Sequence, residues 1–210
     1  MKPADFLAGL HLGQVLDDAD PEQRGRIQVR LHATGTELWA PCVTGGAGQG
    51  YGVSQLPRVG EQVVVGFVSP DLPLVLGAVW SGTASHPEAA RPVRQRYAVA
   101  TPAGSHFILD DAPPVRLSLT SPAGHRLTID DSGEILVEKG SERLRLHAGG
   151  ITIESASRVE IKATAQLNVS TAMVQVDAGM SRFSGVVQCD TLIANAVVSA
   201  TYTPGAGNVW

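Results

Sequence analysis

Leu127-Thr128-Ile129, Ile135-Leu136-Val137, Leu144-Arg145-Leu146, Ile151-Thr152-Ile153, Val159-Glu160-Ile161, Leu167-Asn168-Val169 and Val174-Gln175-Val176 recur about every eight residues along the second half of the chain. Each triplet sets two apolar residues around one that is polar, Leu136 excepted. Strict alternation of this kind predicts extended strand with one dry and one wet face. Small residues separate the triplets: Gly133, Gly140, Gly149, Ala156, Ala172 and Gly179. A solenoid coil built by one chain needs roughly 20 residues or more. Eight residues supply one face, and three chains together supply three. The expected form is an intertwined, three-sided β-prism. Its core is Leu127, Ile129, Ile135, Val137, Ile151, Ile153, Val159, Ile161, Leu167, Val169, Val174 and Val176 of each chain. No aromatic residue lies between Phe107 and Phe183, which suits a narrow axis with little room for rings. An antiparallel sandwich of short strands has turns at similar spacing and is the alternative architecture.

Working outward, the rest of the chain also reads as all-β. The 210 residues include 23 glycines, and many short strands between glycine-rich turns favour that class. Five strands are expected at His11–Leu16, Arg26–His32, Glu37–Val43, Glu61–Val68 and Leu74–Trp80. Turn chemistry lies between them, as in Asp17–Pro21, Gly45–Gly50 and Ser69–Asp71. Five strands without helical periodicity suggest an oligonucleotide/oligosaccharide-binding (OB) type barrel. Ser81–Arg96 has no alternation and reads as a linker with a hinge. Two related phrases follow, Thr101-Pro-Ala-Gly-Ser-His-Phe-Ile-Leu-Asp-Asp111 and Ser121-Pro-Ala-Gly-His-Arg-Leu-Thr-Ile-Asp-Asp131. Past Phe183 the octads loosen. The expected organisation is a lead at 1–10, a barrel at 11–82, a linker at 83–98, a β-helical shaft at 99–200 and a tip segment at 201–210.

Composition excludes several classes. The net charge of −4 gives no basic footprint for nucleic acid. Cys42 and Cys189 have no metal-ligand spacing, so neither a disulfide framework nor a zinc site is expected, and assembly in a reducing cytosol is. No signal peptide and no transmembrane helix are read. The pairs Asp110/Asp111 and Asp130/Asp131 cannot converge as a catalytic dyad, because neighbours on a strand point to opposite faces. Ser105 beside His106 lacks the signs of a triad. The glycines of Gly45–Gly52 lack the lysine and helix of a phosphate loop. Arg24, Arg26 and Arg30 lack the interleaved aromatics of a single-strand binder. No catalytic residue, metal or cofactor is expected.

The barrel region carries a more specific signature: Gly25-Arg26-Ile27-Gln28-Val29-Arg30, Trp39-Ala40-Pro41, Leu56-Pro-Arg-Val-Gly-Glu-Gln-Val-Val-Val-Gly-Phe67 and Pro73-Leu-Val-Leu-Gly-Ala-Val-Trp80. It resembles the OB domain of phage baseplate assembly protein V and of the VgrG spikes of type VI secretion. The Pro-Ala-Gly phrases and the octads resemble the same family's triple-stranded β-helix. The resemblance implies a homotrimeric central spike. Its OB domain would attach to a baseplate hub protein, and its β-helix would pierce the target cell envelope. Such a spike is assembled in the cytoplasm and then forms part of a phage tail or an extracellular injection particle. The family's lysozyme-like insert and its iron-holding His-x-His are both missing, so no tip metal is expected. Tyr202, Val209 and Trp210 are instead the expected contacts for a separate PAAR-like cap. An OB-type module on a β-rich stalk, binding glycan or nucleic acid, is the alternative function.

Overall fold

The computed structural model describes residues 9–201, and every regular element in it but one 3-10 turn is a strand. Strand β1 spans Gly9–Asp17, β2 Arg26–Leu31 and β3 Glu37–Pro41. Two-residue strands β4 (Ala47–Gly48) and β5 (Tyr51–Gly52) follow, then β6 (Gln62–Ser69) and β7 (Leu72–Val79). The five longer strands form one antiparallel sheet in the order β3-β2-β1-β6-β7. The sheet curls until its two edge strands meet. Cys42, just past β3, makes a parallel bridge to Val75 of β7, and the Val43 N–H donates to the Val75 carbonyl at 2.8 Å. The alternation expected from sequence fills the inside of this OB-like sheet. Val15, Ile27, Val29, Leu31, Ala40, Val63, Val65 and Val75 are buried, with Leu38, Cys42, Leu56 and Phe67 packed against them. At Gly13 the neighbouring strand passes so close that a Cβ would overlap Val29 Cγ1 and sit 2.9 Å from the Arg30 carbonyl oxygen. No larger residue fits there without moving β2. The small β4–β5 hairpin lies within the glycine-rich segment, where no alternation announced it.

The second sheet is a seven-stranded antiparallel meander. Its strands are β8 (Arg96–Ala100), β9 (His106–Asp110), β10 (Arg116–Thr120), β11 (Arg126–Asp130), β12 (Ile135–Lys139), β13 (Glu142–His147) and β14 (Gly150–Glu154). They lie side by side in chain order. The alternating pattern continues past Glu154, yet the strand ladder does not, among the described residues. The physical reason lies in the turns. Gly133, Gly140 and Gly150 sit at the reversals with positive φ, the conformation a tight hairpin needs and glycine adopts at least cost. Among the described residues no position between Gly150 and Gly185 has positive φ. There the chain has strand-like sequence without the glycine reversals that follow β11, β12 and β13.

The expected linker needs a correction at its C-terminal end. Arg96 to Ala98 belong to β8, and the 3-10 turn Glu88–Ala90 precedes it. The hinge expected across Ser81–Arg96 is therefore not free over its whole length. The Asp111 N–H donates to the Gln95 carbonyl at 2.7 Å, and Arg96 Nη1 donates to the Arg91 carbonyl at 2.6 Å. Residues 91–96 are thereby held to the edge of the meander. The chain divides into two units between Val159 and Glu160, a point inside the expected shaft.

Candidate assembly surface

The register of the meander sorts its side chains into two faces. Partners opposite each other in antiparallel strands point the same way, and residues two apart on a strand do too. One row runs Val99, Phe107, Leu119, Leu127, Val137, Leu144, Ile153. The second runs Tyr97, Leu109, Leu117, Ile129, Ile135, Leu146, Ile151. All fourteen positions are apolar and lie on one face. Not one of them is buried within the chain. A hollow of about 400 Å³ opens over the first row, lined by Val99, Phe107, Leu119, Leu127 and Val137, with Thr101, Ser105, Thr120, Ser121 and His125 at its rim. Six residues of the expected trimer core, Leu127, Ile129, Ile135, Val137, Ile151 and Ile153, thus share this face. Leu144 and Leu146 belong to it as well. So do Tyr97, Val99, Phe107, Leu109, Leu117 and Leu119, which the octad pattern did not include. The remaining six, Val159, Ile161, Leu167, Val169, Val174 and Val176, lie in or before the second unit as exposed side chains outside any ladder.

The opposite face is mostly polar, with Ala98, Ile108 and Leu136 in its middle row, and its charges alternate across the strands. Arg96, Asp110, Arg116 and Asp130 stand opposite one another in one row. Arg126, Glu138, Arg143 and Glu154 do so in another. Ion pairs follow from that order: Arg96–Asp110 at 2.8 Å, Arg126–Glu138 at 3.6 Å and Arg143–Glu138 at 3.8 Å. Arg145 reaches Glu134 at 2.7 Å. Each such pair contributes little alone. Alternating signs nevertheless fix the register, because like charges set opposite each other would repel.

Asp110 is the one charged residue buried among those described, at 3% exposure. Burial pushes its carboxyl up. The Ala112 N–H, the Arg96 guanidinium and the charge of Arg116 outweigh that and hold it below the usual range. Asp130, its counterpart in the repeated phrase, accepts from the Ser132 hydroxyl at 2.6 Å and from the Glu134 N–H at 3.1 Å, and is also held low. Both side chains satisfy local backbone donors at a strand end. Arg96 as the partner of Asp110 escaped the sequence reading. The available signal was the alternating charge of Arg96, Asp110, Arg116 and Asp130, which gains meaning only once the register is known.

On the barrel, the three arginines considered for nucleic acid each meet a carboxylate. Arg26 binds Asp20 at 2.8 Å and lies over the Trp39 ring, Arg30 binds Glu37 at 2.6 Å, and Arg24 binds Glu22 at 3.2 Å. Asp20 also accepts N–H bonds from Glu22, Arg24 and Arg26, and its carboxyl is driven far below the ordinary range, chiefly by the Arg26 guanidinium. This cluster ties down the β1–β2 turn. Burial raises the Cys42 thiol. Among the described residues no three His, Cys, Asp or Glu side chains converge as a metal site, and no helix is long and apolar enough to cross a membrane. Tyr202, Val209 and Trp210 lie outside the described residues.

Comparison with known proteins bears on the barrel most directly. Residues 11–80 match the family described as Type VI secretion system/phage-baseplate injector OB domain. The chain is also similar to the Type VI secretion system spike protein VgrG4b of Pseudomonas aeruginosa, 32% identical over 138 residues, covering 60% of this chain. It spans only 14% of that relative's length.

Proposed function

We propose, because residues 11–80 match a baseplate-injector OB domain and the chain is similar to a VgrG spike protein, that it works as the homotrimeric central spike of a contractile tail or injection system. The observation that carries this reading is the fourteen-residue apolar face of the meander, open in a single chain, flanked by two unpaired edge strands, β8 and β14. Fully burying one Val, Leu, Ile or Phe side chain is worth about 1.5–3 kcal/mol. An exposed sheet edge is also a standing template for another strand. Three copies arranged about an axis would bring the apolar faces together and give the edges partners. Residues 155–201, with the alternation but no hairpin turns, would then find their ladder between chains. In this reading 11–82 is the hub-facing barrel, 83–95 the linker, 96–200 the shaft, which begins with β8, and 201–210 the tip.

The spike does no chemistry in this account. Contraction supplies the work, and the shared core transmits it to the target envelope. A separate PAAR-like cap would sit on the segment containing Tyr202, Val209 and Trp210. Deleting 202–210 should then leave the trimer folded and unable to retain the cap. The reading of the whole is tested in contractile particles purified from the producing cell. The chain is expected at the baseplate in three copies per particle, and particles should fail to assemble without it. Its absence from sheath-bearing particles, or peptidoglycan hydrolysis by the pure protein that Asp110→Ala or Asp130→Ala abolishes, would overturn it.

A further inference from the structure

Within the second unit the backbone bends at 164–165, 172, 179, 185, 190, 195 and 200. The interval shortens from about eight residues to five, and it stays at five from Gly185 onward. The octads therefore do not merely loosen; they give way to a pentad. Alternation inside each pentad again sorts the side chains. Val187, Leu192 and Val197 are 62%, 72% and 60% exposed, comparable with the octad core residues, whereas Val186, Ile193 and Val198 are 98%, 93% and 100% exposed. By alternation the first group lies on the same side as Cys189, Ala194 and Ser199, all small, and the second group lies on the opposite side. In the trimeric reading the first, less exposed side is the inner one, which suits a thinner core, and the second points out. In the octads the outward positions hold residues such as Glu160, Lys162, Asn168 and Asp177. Between Phe183 and Thr201 the only charged side chain is Asp190.

We infer that this pentad segment is a lipid-contacting collar, in which Val186, Ile193 and Val198 of three chains face the acyl region of a bilayer. The inference rests on the trimeric reading above. Three features favour lipid over a protein partner. The apolar side chains are spaced along the outside rather than gathered into a groove. No arginine or lysine and a single carboxylate per chain offer a protein little to pair with. Charge is also what a hydrocarbon environment penalises most, and it is lost from the segment where apolar residues turn outward. β-branched side chains on an outer face cost hydration in water and gain when that face is covered by acyl chains.

The test uses the purified full chain, vesicles of phosphatidylethanolamine and phosphatidylglycerol, and flotation in low and high salt. Mass is read separately by light scattering. The comparison variant is Val186→Thr, Ile193→Thr, Val198→Thr, which keeps β-branching and hence the strand. We expect a trimer in both, flotation of the unaltered protein in either salt, and a loss of about tenfold or more in the variant. A trimer that does not float, or whose flotation is unchanged in the variant or abolished by salt, overturns the collar and leaves the spike reading standing. Pairing of trimers that the variant abolishes would assign the surface to a second copy and also overturn it. A monomer would remove the spike reading, and the collar with it.

Discussion

The two sheets of this chain are built from the same alternating pattern and reach opposite ends. The five-stranded sheet curls until Cys42 meets Val75, and eight side chains vanish inside it. The seven-stranded sheet carries more apolar residues on one face and buries none of them. The difference comes from connection, not composition. In the barrel, β6 returns from a long excursion to pair with β1, so the sheet is ordered out of sequence and can close. In the meander each strand pairs with its sequence neighbour, the end strands β8 and β14 do not pair with each other, and one side stays uncovered. A domain that completes its own core is suited to be a module. A sheet that cannot do so is suited to be a subunit.

That contrast is broken most severely by placing charge on the open face, at Ile153, or on the exposed apolar strip beyond the ladder, at Ile161. Ile153→Asp and Ile161→Asp, made separately, should each abolish assembly, since three carboxylates would meet on a dry axis where unpaired charge is very costly. Light scattering reads the result; normal assembly of Ile153→Asp would refute the assigned face, and normal assembly of Ile161→Asp would refute the continuation of the core beyond it. The barrel should respond differently. Ile27→Ala removes a fully buried side chain and is expected to cost about 2–5 kcal/mol in barrel unfolding followed by denaturant, while the assembled mass stays the same.

Acid sharpens the comparison next. Asp110 and Asp130 are held below the usual carboxylate range in the folded sheet. The stability they contribute is therefore fully present above the unfolded value of about 4 and is lost as pH falls through the lower folded values. The thermal midpoint of the meander should drop across that window, and Asp110→Asn should flatten the drop. An unchanged acid profile in that variant would show that the Arg96–Asp110 pair does not hold the sheet edge. The smallest effect is expected from Glu160→Lys, at an outward octad position. Assembly should survive it, and equal damage from Glu160→Lys and Ile161→Asp would erase the distinction between faces.

Much of this was legible in the chain itself, and the exceptions have physical reasons. The five barrel strands were readable to within about two residues because each alternates and is bounded by turn residues. The apolar face was readable through Leu127/Ile129 and the later pairs. Tyr97/Val99, Phe107/Leu109 and Leu117/Leu119 fell outside the octads because they precede the eight-residue spacing, although register puts them in the same rows. The β4–β5 hairpin has no apolar pattern to read. The anchoring of Arg96 by Asp110 depends on two strands coming together. The end of the ladder at Glu154 was hidden because Ile151-Thr152-Ile153 and Val159-Glu160-Ile161 look alike as strands. What distinguishes the later segment is that the glycine reversals with positive φ that follow β11, β12 and β13 do not recur between Gly150 and Gly185.

The central claim is that the meander's apolar face is the inside of a trimer. Light scattering of the purified full chain tests it most directly. The account predicts a single species of three times the 22.0 kDa chain mass that resists dissociation by detergent. A stable, folded monomer of 22.0 kDa would contradict it.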